Sequence, residues 1–443
     1  MRKATNASPL NVTELIDERP VSSLQILTFF LGALVILFDG ANTISISVAA
    51  PQIAPALGLQ ISSFGPIFSA GQAGLLIGAL ALGPLADRWG RKLLVLASTV
   101  TFGVFSLLTV WAGSFDQLFA LRLLAGIGLG GAAPNVVALA SEYAPKRMRS
   151  ALVTLLWAAF PFGGVLMGLL GGYPWRTIFY LGGMVPLVIA VVLLALLPES
   201  PAFLVTRGAS PKRVAAIVSR IAPDLPPAAL EQFTVTEEKL TGVPMKHLFS
   251  SGQGYATAML WIMFFCDFLI LVSVNAWMPA LLRANGFSVA RAGFAIAWNS
   301  IGSTAGAILV GRLMDRFGAY GVLNIAFLAA AMFVAALGFG STSFSTIAIL
   351  ATFSGFFAGA AQAGVVALAA RTYPVAVRST GIGWAMAVGR LGAVVGPLAG
   401  GILLTRNFPA SRAFLSFAIP GLCGAAAVLL LRSSTRAPVP ARS

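Results

Sequence analysis

Residues 83–92 read GPLADRWGRK and residues 311–320 read GRLMDRFGAY. The second stretch repeats the first in register, with Gly83 on Gly311, Asp87 on Asp315, Arg88 on Arg316 and Gly90 on Gly318. The same offset of 228 positions carries outward without a gap: Asp39 meets Asp267, Pro51 meets Pro279, Gly65 meets Gly293 and Gly74 meets Gly302. With one more residue of offset, Gly126 meets Gly355, Arg149 meets Arg378 and Gly163 meets Gly392. Agreement over that length means that one folding unit is present twice.

Composition names the solvent of that unit. Apolar residues make up 58% of the chain and charged residues 10%, with a mean hydropathy of +0.89. Soluble domains hold roughly 45–50% apolar and about 25% charged residues, so lipid surrounds most of this chain. The apolar residues fall in twelve runs of the length that crosses a hydrocarbon core of about 30 Å. The expectation is an all-α integral membrane protein with twelve transmembrane helices in two pseudo-symmetric six-helix bundles.

A net charge of +15 would suggest nucleic acid in a soluble protein; here its placement marks topology instead. Arg88, Arg91, Lys92, Lys146, Arg147, Arg149, Lys212, Arg213, Arg316 and Arg378 fall in alternate loops, and the opposite loops hold mainly Arg176, Arg283, Arg291, Arg406 and Arg412. The positive-inside bias puts the richer loops and both termini in the cytoplasm. The chain divides into a cytoplasmic tail (1–21), a six-helix bundle (22–197), a central loop (198–253), a second bundle (254–433) and a tail (434–443). Ser210-Pro211 opens a basic helix to about Ile221, either interfacial or a solvated linker. His247, the single histidine, reads as a headgroup-level residue. Cys266 and Cys423 fall inside spans and read as packing residues, not a disulfide. The first run carries Asp39 and is too long for a cleaved signal, so it stays as span 1. Two parallel six-span repeats with a site between them near the midplane are a transporter architecture.

The Gly-x-x-x-Asp-Arg-x-Gly-Arg-Lys pattern resembles the loop between helices 2 and 3 of the major facilitator superfamily. Within that superfamily the chain resembles the bacterial aromatic acid:proton symporters, nearly end to end. The resemblance rests on FDGAN (Phe38 to Asn42), FSAGQAGLLIGALALGPLADRWGRK, RLLAGIGLGGAAPNVVALASEYAPKRMR (Arg122 to Arg149), PESPAFL from Pro198 and VGRLGAVVGPLAGG (Val388 to Gly401). It implies the major facilitator fold, proton-coupled uptake and a benzoate-like or phenylpropanoid-like anion as substrate. It also implies the proton as coupling ion with no cofactor, a functional monomer and a bacterial inner membrane. One departure stands out: the family has Asp-Gly-x-Asp in helix 1, and here the second acid is Asn42.

Ionisable groups at the bilayer centre cost roughly 2.5–3.5 kcal/mol on insertion scales, so each is a functional candidate. Asp39 lies mid-span, followed by Gly40. Desolvation disfavours its charged form, which suits it to loading and releasing a proton; a structural hydrogen-bonding aspartate is the alternative. Asp267, its repeat mate, either compensates for the acid missing at position 42 or is a solvated acid at a cavity mouth. Arg390, mid-span in helix 11, can take a carboxylate bidentately while an aromatic ring stacks on Trp157, Phe160 or Trp384; an internal ion pair with Asp39 or Asp267 is the alternative. Arg122 lies near the non-cytoplasmic end of helix 4, where coupling and snorkelling are both open readings. Asn42 and Gln362 are further candidates to line the cavity, with Asn135, Asn275 and Asn299 as interhelical hydrogen bonders by default.

Gly83, Asp87, Arg88, Gly90 and Arg91, with Asp315 and Arg316 in the second copy, are expected to form a gating latch at the cytoplasmic end; the alternative, basic residues that only anchor the loop inside, accounts for Arg88, Arg91 and Lys92 but not for the glycines and Asp87. Gly83 is expected to let a neighbouring helix approach and Gly90 to permit a tight turn. Glu142 is expected to pair there with Arg149 or Arg378. Rival functions remain. PESPAFL also suits a sugar porter, but Ala202 stands where that class prefers a basic residue. An efflux antiporter signature, Gly392, Gly396, Pro397, Gly400 and Gly401, falls in helix 11 instead of helix 5. Uptake of another small organic anion and a sensor on a transporter fold complete the alternatives. No metal-ligand spacing, phosphate loop or nucleophile-base pair supports an enzyme.

Overall fold

A computed structural model describes residues 10–226, 232–235, 248–249, 254–339, 343–374, 377–406 and 408–436 of the chain. His247 and the end of the C-terminal tail lie outside the described residues. Among the described residues, twelve helices are long and apolar enough to cross a membrane. A short helix α1 (Val12–Glu18) comes first. Spans 1 to 6 are α2 (Ser23–Ala56), α3 (Phe64–Trp89), α4 (Arg91–Leu108), α5 (Phe115–Tyr143), α6 (Arg149–Leu169) and α7 (Trp175–Leu196). Then α8 (Pro201–Thr206) and α9 (Pro211–Ile221) lead to spans 7 to 12: α10 (Gly254–Ala284), α11 (Val289–Phe317), α12 (Ala319–Gly338), α13 (Phe344–Thr372), α14 (Arg378–Thr405) and α15 (Ala410–Arg436). A two-residue strand β1 (Leu10–Asn11) pairs in parallel with β2 (Phe233–Thr234), which fastens the N-terminal segment to the central loop.

Local sequence sets the helix starts. Ser22 and Gln25 form a capping box at α2, and the Gln25 amide also donates to the Tyr143 carbonyl at 2.7 Å, joining the start of α2 to the end of α5. Ser114 and Ser288 cap α5 and α11. Pro211 occupies the first turn of α9, whose Val214, Val218 and Ile221 are buried while Lys212, Arg213 and Arg220 are exposed. Asp17 on α1 accepts from the Lys146 N–H at 2.7 Å, and Arg19 pairs with Asp224, holding that carboxyl below its usual range through their hydrogen bond. The N-terminal segment thus belongs mechanically to the first half.

Lipid supplies no hydrophobic force between helices, so packing depends on close backbone approach. On α3, Gly74 and Gly78 meet the backbone of Leu123, Gly126 and Ile127 on α5; the repeat places Gly302 and Gly306 of α11 against Thr352 and Phe356 of α13. Both cysteines are free thiols.

Helix α2 starts, and α15 ends, on one face of the bundle, here called the near face. The halves touch toward the far face. A Cβ on Gly65 of α3 would lie 3.0 Å from the Gly401 Cα of α14, and the Ser69 hydroxyl donates to the Val394 carbonyl at 2.7 Å. Opposite that seam, Gly168 of α6 and Gly171 in the turn just after it meet Gly293 of α11, with would-be Cβ distances of 2.6 and 2.8 Å. Trp277 of α10 is fully buried there, edge-on to Phe68 of α3 with ring centroids 5.2 Å apart, and its indole N–H donates to the Pro397 carbonyl. At the near face the picture is different: a Cβ on Gly83, Gly311 or Gly383 would meet nothing within 4 Å, and Leu155 and Trp157 are exposed.

Gly302→Leu is expected to lower stability by about 1–3 kcal/mol through overpacking against the Thr352 carbonyl. Gly321→Ala, with open space around its Cβ, is expected to stay within about 0.5 kcal/mol of the natural chain. Thermal unfolding of the purified variants in detergent checks both.

Candidate functional site

Helix α14 carries two stripes of small residues. Gly389, Gly392, Gly396 and Gly400 pack on α10 within its own half, whereas Val394, Pro397 and Gly401 turn to α3 of the other half. Helical periodicity puts Arg390 one turn before Val394 on the second stripe, so its guanidinium looks out of its own bundle. Asp39 on α2 is 2% exposed, and its Oδ1 has no hydrogen-bond partner. Arg390 and Asp39 act on each other electrostatically across the halves, and the ion pairs among the described residues do not include one between them. Thr43, one turn further along α2, also has a buried hydroxyl without a partner.

The remaining intramembrane candidates separate. Asp267 is 2% exposed with Oδ2 unpartnered, yet Arg390 acts on Asp39 and not on Asp267. The repeat mates are therefore not equivalent neighbours of one arginine. Asn42 is locked inside the first half: its amide N–H donates to the Gly182 carbonyl at 2.8 Å and the Phe38 carbonyl at 3.0 Å, and its oxygen accepts from the Ser106 hydroxyl. Two carbonyl acceptors need a donor that a carboxylate lacks, which is a physical reason for an amide at this position. Arg122 continues the same polar spine. It donates to the Phe105 carbonyl at 3.2 Å and to Thr109, with its guanidinium 5.0 Å from the Phe179 ring centroid. Phe105 and Ser106 near the end of α4 and Thr109 just beyond it lie within one turn, so Asn42 and Arg122 clasp α2, α4, α5 and α7 together within the first half.

The aromatic candidates also divide. Trp157 follows the α6 stripe of Gly164 and Gly168 that meets α11, and its ring is exposed where the halves part. Phe160 is half-buried, with its backbone against Gly40. Trp384 shares its stripe with exposed Leu391, Val395, Leu398 and Ile402, an outward face; the structure does not bring it to Arg390. Gln362 is half-buried on the side of α13 opposite Phe353 and Phe357, whose rings stack on Phe333.

At the near face, Gly90 takes φ +104° between α3 and α4, where an L side chain is strained. Its missing Cβ is occupied by the Glu199 carboxylate, which accepts from the Arg91 N–H at 3.0 Å and the Lys92 N–H at 3.2 Å, capping α4. Arg91 pairs with Asp87 and, at 3.4 Å, with Glu142. Glu142 thus pairs with Arg91, not with Arg149 or Arg378. Arg149 instead reaches Asp17 at 3.5 Å, and Arg378 the Tyr373 carbonyl at 3.4 Å. The Arg88 carbonyl accepts from Arg207 at 3.1 Å. In the second half Asp315 pairs with Arg371 at 2.6 Å, and Arg316 lies 5.2 Å from the Phe317 ring centroid. Among the described residues, every ion pair at this face stays within one half. Gly83, expected to admit a neighbouring helix, meets no neighbour in this conformation. Glu199 and Trp277 escaped the sequence reading. Glu199 sits in the quoted PESPAFL stretch, so a carboxylate between two prolines after span 6 was an available signal; Trp277 gave none beyond a tryptophan deep in an apolar run.

Residues 29–283 and 260–443 match the Major Facilitator Superfamily. The 4-hydroxybenzoate transporter of Pseudomonas aeruginosa is 36% identical over 95% of each chain. The gallate transporter of Pseudomonas putida is 35% identical over 97% of this chain and 96% of its own, and the 3-(3-hydroxy-phenyl)propionate transporter of Escherichia coli 34% over 94% and 96%. In fold the chain is similar to the xylose transporter XylE of Escherichia coli, with a TM-score of 0.69 at 19% identity over 93% of this chain and 98% of that one. A bacterial homologue of the lysosomal transporter Spinster gives 0.73 at 15% over 96% and 100%. The chain belongs to the major facilitator superfamily, in the family of these aromatic acid transporters. Relatives and fold are those of carriers, not enzymes.

Asn42→Leu is expected to cost about 1–3 kcal/mol, because it leaves the Gly182 carbonyl and Ser106 hydroxyl buried without partners. A lowered thermal unfolding midpoint checks this. Arg390→Gln, outside that spine, should leave the midpoint nearly unchanged.

Proposed function

We propose that the chain is a proton-coupled uptake carrier for an aromatic carboxylate, benzoate-like or phenylpropanoid-like, working by alternating access in a bacterial inner membrane. The observation that carries this reading is the Asp39–Arg390 relation: a buried acid in one half and a half-buried guanidinium from the other, acting on each other without a closed ion pair. In this mechanism the substrate carboxylate takes the Arg390 guanidinium in two parallel hydrogen bonds. Asp39, relieved of its cation, takes a proton, since an unpaired carboxylate in a low-dielectric site is costly. One proton and one anion then cross together as a neutral load.

The aromatic ring is placed between Arg390 and the exposed near-face surface, where Trp157 and Phe160 offer stacking and Gln362 an amide for ring hydroxyls. Asp267 is a second proton-binding candidate away from Arg390, and Arg122 a positioning residue. The basic loops assign the near face to the cytoplasm by the positive-inside bias, so the conformation described is open inward and sealed outward. The relatives' substrates favour this class over sugars, and a midplane guanidinium favours an anion. The protein acts as a monomer, because each chain carries both halves of the site.

Uptake of labelled 4-hydroxybenzoate, gallate and benzoate into proteoliposomes with an imposed inward proton gradient tests the reading. Accumulation that an uncoupler abolishes is expected; export driven by the gradient would favour an antiporter. Asp39→Asn is expected to remove accumulation above equilibrium, and Asp267→Asn to keep the wild-type pH profile if Asp267 does not titrate in the cycle. Arg390→Lys, a point charge in place of a fork, should raise the KM about tenfold or more.

A further inference from the structure

We infer that Thr43 is a positioning residue for the proton site: once substrate has drawn Arg390 away, the Thr43 hydroxyl becomes the hydrogen-bond partner of the protonated Asp39 carboxyl. The inference rests on the proton-coupled reading of Asp39 and Arg390 and adds to it the group that holds the proton in place.

The other polar side chains in the buried part of α2 are accounted for. Thr28 donates to the Leu24 carbonyl, Ser45 to the Asn42 carbonyl and Ser47 to the Ile44 carbonyl, each at 2.8 Å, and Asn42 is held by Phe38, Gly182 and Ser106. Among the described residues, the buried side-chain oxygens of α2 without a partner are Asp39 Oδ1 and Thr43 Oγ1. Residues four apart are neighbours on one helix face, with Cβ atoms about 5–6 Å apart. A threonine inside a helix can turn its hydroxyl onto the carbonyl four residues back, and Thr28, Thr99, Thr101, Thr352 and Thr372 do so at 2.7–2.8 Å. Thr43 does not, although the carbonyl within its reach is that of Asp39. A buried hydroxyl without a partner is destabilising, so Thr43 has no use in the conformation described.

The two unpartnered oxygens satisfy each other in one protonation state of Asp39. When the substrate carboxylate takes the guanidinium, Asp39 gains one proton from water on a carboxyl oxygen and becomes an O–H donor. Thr43 Oγ1 accepts that hydrogen bond, and its own proton goes to the Asp39 carbonyl, the bond the other helix threonines make. No other charge is placed to take this role. Of the helices packed on α2, α5 carries Arg122, bonded to Phe105 and Thr109; α6 carries Arg149 at its near end beside Asp17; and α7 carries Arg176 at its far end, 3.4 Å from the Val110 carbonyl. Helix α10 carries Asp267 and Cys266, the latter acting on Cys423 of α15. The charged residues of α3, α4 and α11 stand toward the ends of those helices. Among the described residues, Arg390 of α14 is the charged group that acts on Asp39. The repeat supplies a contrast: four residues after Asp267 comes Leu271, so of the two mates only Asp39 has a hydroxyl one turn on.

Thr43→Val, which keeps the branched shape and removes the hydroxyl, and Thr43→Ser, which keeps the hydroxyl, provide the test in the full-length protein. Uptake of labelled 4-hydroxybenzoate into proteoliposomes is followed from about pH 5 to about pH 8. Transport needs the proton on Asp39, and the valine variant lacks the bond that favours the protonated form. Its uptake is therefore expected to fall to half at a pH lower by about half a unit to one unit, with Thr43→Ser within about 0.2 unit of the unaltered chain. At the acid end, 4-hydroxybenzoate binding by Thr43→Val is expected to stay within about twofold. An unshifted profile in Thr43→Val, with Asp39→Asn still unable to accumulate, overturns the role of Thr43 and leaves proton coupling standing. Accumulation by Asp39→Asn with the unaltered profile overturns the coupling reading and this inference with it. Acid-end binding weakened about fivefold or more, with the profile unmoved, makes Thr43 a contact of the substrate and overturns its role toward Asp39. Thermal unfolding is a readout independent of uptake: removing an unpartnered hydroxyl is expected to keep or raise the midpoint of Thr43→Val. A midpoint lower by about 3 °C or more shows a structural partner for the hydroxyl and contradicts the inference.

Discussion

Two opposite charges set in a low-dielectric interior, one in each half, are the constraint around which the rest is arranged. Were Asp39 and Arg390 on the same bundle, their attraction would rigidify that bundle and say nothing about the other. Because they belong to different bundles, their separation depends on how the halves lean, and so does the cost of leaving either one unpaired. The far-face glycine seams fix that lean by letting α3 meet α14, and α6 meet α11, backbone to backbone.

Apart from the Ser69–Val394 hydrogen bond at the far seam, the polar contacts outside that pair close within one half. Asn42, Ser106, Thr109 and Arg122 close on one another and on carbonyls of the first bundle. Glu199 caps α4, fills the space of the absent Gly90 side chain and leaves no room for another residue. The Arg91 cluster and the Asp315–Arg371 pair complete their ion pairs internally. Because the carboxylates Asp87, Glu142 and Asp315 have their cations within their own half, the halves can separate or approach there without breaking those pairs, and this makes near-face movement compatible with folded halves.

Much of this was legible in the sequence because lipid restricts a chain to few solutions. Runs of apolar length gave the twelve helices, and the 228-residue repeat gave the two bundles. The intramembrane charges stood out because each is expensive. What could not be read was rotation about each helix axis. Trp384 and Arg390 are six residues apart on α14, yet one faces outward and the other faces α3. Asp39 and Asp267 occupy equivalent positions, yet only Asp39 has the arginine, since α14 has no arginine-bearing counterpart in the first half. Glu142 lay among several cations in the sequence, and only the fold of the loop around Gly90 selects Arg91. The Asn42 departure from the family pattern, which looked like a missing proton site, is explained by two carbonyls that require a donor.

The measurement closest to the central claim is the affinity of purified Asp39→Asn for 4-hydroxybenzoate at neutral pH, followed by intrinsic tryptophan fluorescence or calorimetry. If substrate and Asp39 compete for Arg390, removing the carboxylate frees the guanidinium and tightens binding about fivefold or more, the scale of an ordinary site-to-site coupling. Unchanged or weaker binding by Asp39→Asn would contradict the exchange of Arg390 between the two carboxylates.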